Sequence, residues 1–372
     1  MDNKYFKIRE SVDIYTLSLG NGIYRIQFYR INTRERKSIE AEEIVLDILA
    51  IFDGTKTIKE IATTTNTDIN SIKNLLTFLL NNGFAIEVDK NKKIDERFKR
   101  QISFFDDLMP NRLGEETQEL LSSKKIVIFG VGAVGGDIAI LLARAGVKNF
   151  VFVDYKKLSK SDIVRHLYCN TKNIGKFKTE ALKEYILKID NTINIECINK
   201  KLIPHSNLSK FISDDTDLVI NVADEPYIGH TSVKIGRYVW QKNIAMYVAG
   251  GFDAHSMSTG ELIIPTKTAC IDCYQNSFKK ALKDWKPSYN TEQKKEILVE
   301  DDFEDIKDII IGGPGSLAQA SLFSASYGVM KIIFYLIGLD VTKESKRGEY
   351  LPNRGIFTWV DFTKEECEIC KR

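Results

Sequence analysis

Residues 125–136 read KIVIFGVGAVGG, and the fold is decided here. KIVIF has the composition of a buried strand. Glycines then interrupt it at Gly130, Gly132 and Gly135, and GDIAILLARAG (136–146) resumes with apolar residues at helical spacing. Strand, glycine-rich loop and helix in this order make a phosphate cradle. The glycines permit a tight turn and close approach of the backbone to a ligand. The first amides of the helix then offer donors and a positive dipole end. The next strand, NFVFVD (149–154), ends on Asp154, 22 residues beyond Gly132. A carboxylate at that place accepts a ribose hydroxyl.

Working outward, a helix is expected at 179–189 and strands at 194–198 (NIECI), 217–224 (DLVINVAD) and 244–251 (IAMYVAGG). Alternation of this kind predicts the α/β class: a Rossmann-like, doubly wound, mainly parallel sheet with right-handed crossovers. Residues 276–308 are highly charged and poor in aliphatics, which reads as an excursion or lid, whereas 315–338 are apolar at helical spacing. Upstream the pattern differs. Residues 14–30 alternate apolar and polar positions around Gly20-Asn21-Gly22, a hairpin signal. A helix is expected over 40–52, then a second helical stretch, a third helix from about 70 to 82, and a strand in GFAIEV (83–88). Together these suggest a small winged-helix-like α+β module. The lysine-rich stretch at 89–96 serves as a linker, so the expected domains are 1–88 and 89–372.

Composition narrows the function. Fifty-three basic and 51 acidic side chains leave a net charge of +2, with no basic excess for nucleic acid. The helix 67–82 would carry only Lys73 toward DNA. No long apolar run exists to span a membrane, and the charged N-terminal residues do not form a signal peptide. Six cysteines in 372 residues are too few for a secreted disulfide scaffold, which points to the cytoplasm.

The residues after Asp154 separate this chain from a nicotinamide enzyme. LSKSDIVRHLYCNTKNIGKFK (158–178) places Arg165, Lys176 and Lys178 in a loop at the carboxyl end of the sheet. Asp224 ends the fourth strand, where a carboxylate can hold Mg²⁺ against phosphate oxygens. Three cations and a metal-binding acid suit ATP and the charge that builds during adenylation. Cys270/Cys273 and Cys367/Cys370 are two C-x-x-C pairs. Four thiolates so spaced can close a tetrahedral, structural Zn²⁺ site; a redox pair is the alternative. Cys169 lies in the phosphate-loop region and is the one tempting thiol nucleophile, although a buried small hydrophobe is the plainer reading.

These motifs resemble the ThiF/MoeB/HesA family of the ubiquitin-activating-enzyme superfamily. They are GVGAVGG, the strand-end Asp154, SDIVRHLY, IGKFKTE, VADEP, AGG, the two C-x-x-C pairs and RFKRQISFF (97–105). The resemblance covers residues 95–372. It implies that Asp154 binds the ATP ribose and that Arg165 and Lys178 bind phosphates. It also implies that Asp224 coordinates Mg²⁺ and that Arg100 reaches into the ATP site of the partner in a homodimer. Asp162 and His166 stand where the family usually has Asn and Gln. The N-terminal module resembles the PqqD-like element that captures a leader peptide by adding it as a strand. The whole is therefore similar to the peptide-maturation adenylating enzymes of microcin C and pantocin synthesis. Such enzymes activate either glutamate side chains or the C-terminal residue of a ribosomally made precursor. Activation of a ubiquitin-like sulfur carrier ending in Gly-Gly is the alternative.

Overall fold

The structure is a computed structural model and describes residues 2–89, 95–109, 112–225, 228–249, 257–281, 317–342, 345–365 and 367–370. The chain divides into two compact units, Met1–Leu121 and Ser122–Arg372. The compositional boundary at 88/89 falls inside the first unit, and most of the linker expected at 89–96 lies outside the described residues.

The first unit opens with β1 (Tyr5–Ile8), β2 (Val12–Gly20), β3 (Ile23–Arg30) and β4 (Arg36–Glu42). Then come α1 (Ile44–Ala50), β5 (Asp53–Thr57), α2 (Ile58–Thr65), α3 (Ile69–Asn81), β6 (Ala85–Val88), α4 (Lys99–Leu108) and α5 (Gly114–Ser123). Strands β2, β3 and β4 form an antiparallel meander, and β5, β1 and β6 a second three-stranded sheet. The expected hairpin is present. Gly20, Asn21 and Gly22 all take positive φ, which an Asn flanked by glycines tolerates. The helix expected over 40–52 begins only at Ile44. Residues 40–42 instead extend β4, where Glu40 pairs with Arg25 at 2.8 Å across the ladder with β3, so strand pairing overrides local helix propensity. Thr57 and Glu60 form a capping box on α2, and Asp68 caps α3 through the Asn70 and Ser71 amides. Ile26, Phe28, Ile58, Ile61, Ile72, Leu76 and Leu79 are fully buried among these elements.

The second unit contains β7 (Lys125–Phe129), α6 (Ala133–Arg144), β8 (Asn149–Val153), α7 (Lys178–Leu187), β9 (Asn194–Ile198), β10 (Leu218–Asn221), α8 (Ile228–Gln241) and β11 (Ala245–Val248). It continues with β12 (Met257–Ser258), β13 (Glu261–Ile263), α9 (Ile271–Ala281), α10 (Ala318–Leu336), β14 (Lys346–Leu351) and β15 (Ile356–Asp361). The central sheet has the order β13-β11-β10-β7-β8-β9. Five strands are parallel, and β13 closes one edge antiparallel to β11. The predicted doubly wound, mainly parallel sheet is thus the observed one. The order in which the chain adds strands reverses between the parallel neighbours β7 and β10, which opens a crevice at their carboxyl ends. Not anticipated were α8, α9 and the small sheet β12-β14-β15. Residues 276–281 of the charged excursion are helical in α9, and the rest of it, 282–308, lies outside the described residues. Among the described residues no helix is long and apolar enough to cross a membrane.

Helix α6 is buried along most of its length and packs on α10, with which it shares its most extensive helix contact. One buried position on it is polar. Asp137 accepts from Ser321 Oγ of α10 at 3.2 Å through one oxygen and leaves the other without a hydrogen bond. Burial pushes its pKa from 3.8 up to about 7, with the Ser321 hydroxyl opposing. The folded chain therefore keeps a proton that the unfolded chain releases, so stability falls as pH rises from the ordinary value toward 7. Asp137→Asn should raise the unfolding midpoint at pH 8 by about 2–4 °C or more, with the gap closing near pH 4. A calorimetric pair of melts at the two pH values checks this, and a difference independent of pH would refute it.

Candidate active site

The glycine loop is set by a backbone collision avoided. Gly130 leaves β7 with φ +81° and lies against the chain leaving β10; a Cβ there would come 2.8 Å from the Ala223 amide nitrogen and from the Val222 carbonyl carbon. At Gly135 a Cβ would meet the Gly130 carbonyl oxygen at 2.0 Å. Both positions therefore require glycine. Gly132, at the N-cap of α6, is less tightly enclosed: a Cβ there would meet only His166 Nε2, in ordinary contact at 3.7 Å. Asp154 receives the Val131 amide at 3.0 Å on one oxygen and the Lys156 amide at 2.9 Å on the other. Its carboxylate is thereby fixed beside the loop, with lone pairs left for a ligand hydroxyl.

The loop from 155 to 178 gathers its polar residues around one acid. Asp162 is buried and accepts from the Ser159 amide at 2.8 Å and the Ser159 hydroxyl at 2.9 Å. Lys178 Nζ lies 3.7 Å away, the Arg165 guanidinium 3.9 Å and His166 Nδ1 3.4 Å. Burial alone would raise the Asp162 pKa, but the Ser159 bonds and Lys178 outweigh it and hold the acid below its ordinary value. Asp162 therefore stays ionised and collects Arg165, His166 and Lys178 into one cluster. Lys176 is not part of it: that side chain is exposed and pairs with Glu184 at 2.7 Å.

Across the crevice, buried Asn221 ends β10. Its amide donates to Thr231 and Ser232 of α8, and its carbonyl accepts from the Ala223 amide at 3.2 Å. Thr231 in turn donates to the Ala223 carbonyl at 2.6 Å. This network fixes the turn that presents Asp224, which is exposed. Its neighbour Glu225 is engaged by Lys156, Tyr155 and Lys201. One exposed carboxylate beside the glycine loop is a donor that would suit Mg²⁺, an ion that keeps most of its water ligands. Arg100 stands exposed on α4 in the first unit.

The four cysteines of the two C-x-x-C pairs converge, with all four sulfurs within 4.8 Å of one another. Cys367 Sγ lies 3.4 Å from Cys270 Sγ and 3.6 Å from Cys273 Sγ, and Cys273 and Cys370 are 3.6 Å apart. No disulfide joins them. The Glu365 and Cys370 amides donate to Cys273 and Cys367 sulfurs, each at 3.3 Å. Four sulfurs at these separations with amide donors match a closed tetrahedral Zn²⁺ shell. The base of the site is anchored by buried Arg347 on β14, which donates to Tyr274 of α9 at 3.0 Å and pairs with Glu349 at 3.2 Å and Glu261 at 3.4 Å. The remaining thiols are poorly activated. Cys169 is buried, and burial with Asp162 pushes its pKa up; Cys197 is pushed up to about 11, chiefly by burial.

With this geometry in place, residues 105–339 match the model of the ThiF family, which is well over half of the chain. The chain belongs to the ThiF family. Among individual ThiF-like relatives, the vegetative HesA protein of Trichormus variabilis is 28% identical over 180 residues, 48% of this chain and 62% of that protein. The uba4 adenylyltransferase and sulfurtransferase of Aspergillus niger is 28% identical over 148 residues, 39% of this chain and 30% of that one. The chain thus spans less than two thirds of the length of these relatives. In structure it is similar to E. coli MccB crystallised with MccA, with a TM-score of 0.72, 18% identity and 99% of both chains covered. It is similar also to PaaA, with a TM-score of 0.68, 19% identity, and 96% of this chain and all of that one covered. At such identities the likeness establishes the fold.

Three residues of the crevice escaped the sequence reading as contributors: Asp162 as the centre of the cation cluster, Asn221 as the organiser of the Asp224 turn, and His166. For Asp162 and His166 the signal was present, since the resemblance had already set both apart in SDIVRHLY. For Asn221 there was none, because its partners lie 10 and 11 residues on in a helix not anticipated. Purified protein should carry about one Zn²⁺ per chain, and Cys367→Ser should abolish that content and lower the melting midpoint. Folded protein without zinc by elemental analysis would overturn the metal assignment.

Proposed function

We propose that the chain uses ATP to adenylate a carboxylate of a ribosomally synthesised precursor peptide during maturation of a peptide natural product. The observation that carries this reading is the convergence of the glycine loop, Asp154 and the Arg165–His166–Lys178 cluster on one crevice. The fold likeness to MccB, which runs over 99% of both chains and so includes the first unit, supports it. MccB has been crystallised with ATP and with MccA.

In this reading the substrate carboxylate attacks the α-phosphorus, an acyl-adenylate forms and pyrophosphate departs. Asp154 holds the ribose, and the loop amides at Gly132 receive phosphate oxygens. Arg165 and Lys178, already gathered near the loop, stabilise the charge that develops on the α-phosphate and leaving group. Asp224 would hold Mg²⁺, which neutralises phosphate charge when bound. Arg100 completes the site of the partner in a homodimer, and the exposed Leu322 and Met330 of α10 fit an apolar interface between copies. The Cys₄ zinc is structural. Either glutamate side chains or the C-terminal residue of the peptide would be activated, in the reducing cytoplasm.

The first unit serves as a PqqD-type leader-recognition element. Strand β2 is an edge strand, and Tyr15, Leu17 and Leu19 alternate along it with their side chains exposed. An extended peptide pairing there gains main-chain hydrogen bonds and an apolar face. A second reading, activation of a ubiquitin-like sulfur carrier, is favoured by the likeness to the uba4 enzyme.

Asp224→Ala should lower peptide-dependent ATP–pyrophosphate exchange by about two orders of magnitude or more while leaving leader binding intact. Exchange near the wild-type rate removes Asp224 from the metal site. Replacing Tyr15 and Leu17 by Asp should weaken leader affinity at least tenfold, about 1.4 kcal/mol. Exchange stimulated by a Gly-Gly-ending protein, and by no short precursor, decides for the second reading.

A further inference from the structure

His166 is buried, with 4% of its surface exposed, and the mechanism above leaves one of its nitrogens unexplained. Nδ1 lies 3.2 Å from the Asp162 main-chain oxygen and 3.4 Å from Asp162 Oδ1. Both neighbours are acceptors, so Nδ1 carries the proton of the neutral ring. Nε2 is then a bare lone pair. It has no hydrogen-bond partner and faces Gly132 at the mouth of α6, where a Cβ would come 3.7 Å from it. Phosphate oxygens held by this loop are acceptors as well. A lone pair buried against an anionic oxygen is repulsive until a proton is placed between them.

We propose that nucleotide binding at the glycine loop is coupled to uptake of a proton by His166, whose Nε2–H then donates to a phosphate oxygen. The inference rests on the reading of the loop as a nucleotide site. The proton comes from solvent, and no covalent bond between heavy atoms changes. The groups facing the ring are Asp162 on one side, Lys178 and Arg165 beside it, and the Tyr168 ring edge-on at 5.6 Å. Before nucleotide binds, burial first and Lys178 second hold the imidazole pKa down at about 4, so the ring is neutral at pH 7. An arriving phosphate adds negative charge on the Nε2 side, opposes Lys178 and Arg165, and reinforces Asp162. The pKa in the complex therefore rises. Affinity should fall with increasing pH between the two pKa values, because only the complex holds the proton there.

The test is calorimetric titration of the full chain with the magnesium complex of α,β-methylene ATP at pH 6.5, in buffers of small and large ionisation enthalpy. The wild type should take up about one proton per site, and its affinity should fall up to tenfold per pH unit. His166→Gln and His166→Asn, whose amides donate without titrating, should take up none. Binding by the wild type with heat independent of buffer overturns the proposal, as does equal uptake in wild type and variants. Ring-nitrogen shifts of ¹⁵N-labelled wild type give the same answer without a variant, and a His166 ring that stays neutral in the complex overturns it too. Absence of any nucleotide binding removes the reading of the loop, and this proposal with it.

Discussion

Everything at the crevice depends on how closely two backbones pass. Gly130 lies against Val222 and Ala223 with no room for a Cβ, and Gly135 lies against Gly130 in the same way. These contacts bring the loop after β7 onto the chain leaving β10, at the point where the sheet reverses its order. A side chain at either position would drive the loop away from β10. Asp154 and the turn at Asp224 would then no longer belong to one site. The hydrogen bonds from Val131 to Asp154 and from Asn221 to Ala223 hold the two walls once the glycines let them meet.

Charge in the site is arranged by an acid rather than by the cations alone. Lys178 is buried at the start of α7, a costly place for an ammonium group unless a counter-charge is near. Asp162 supplies that charge and is itself held ionised by Ser159. The same carboxylate restrains Arg165 and fixes the tautomer of His166. An asparagine at this position would leave the cations less compensated. Aspartate at 162 and histidine at 166 therefore form a matched pair, a negative charge beside an imidazole ring.

A second constraint lies at the chain end. The C-terminal C-x-x-C reaches the first pair, at the start of α9, only because β14 and β15 return the chain to the body of the unit. Arg347 on β14 ties α9 to β13 through Tyr274 and Glu261. A buried charge network of this kind adds little net stability, but removing one partner would leave the others buried and unpaired. Metal binding by the four sulfurs would lock the same elements.

Local sequence determined much of the architecture. The central strands follow from short apolar runs, the helix α6 from its periodicity, the hairpin at 20–22 from Gly-Asn-Gly, and the glycine loop and Asp154 from their spacing. Each of these signals lies within a few residues, so a linear reading captures it. Other features needed partners distant in the chain. Glu40–Glu42 became strand because β3 was there to pair with, whereas the isolated pattern read as helix. Lys176 and Lys178 are two residues apart and looked alike, yet one pairs with Glu184 at the surface and the other is buried against Asp162. Lys176 lies in the bend before α7 and Lys178 opens the helix, so their side chains leave the backbone in different directions, and spacing carries no such direction. The unpaired nitrogen of His166 and the turn built by Asn221 were likewise decided by tertiary structure, whereas the meeting of the four cysteines, with Cys273 and Cys367 separated by 94 positions, was legible in the two C-x-x-C pairs. Burial and hydrogen-bond partnership are properties of the packed chain and of no short segment of it.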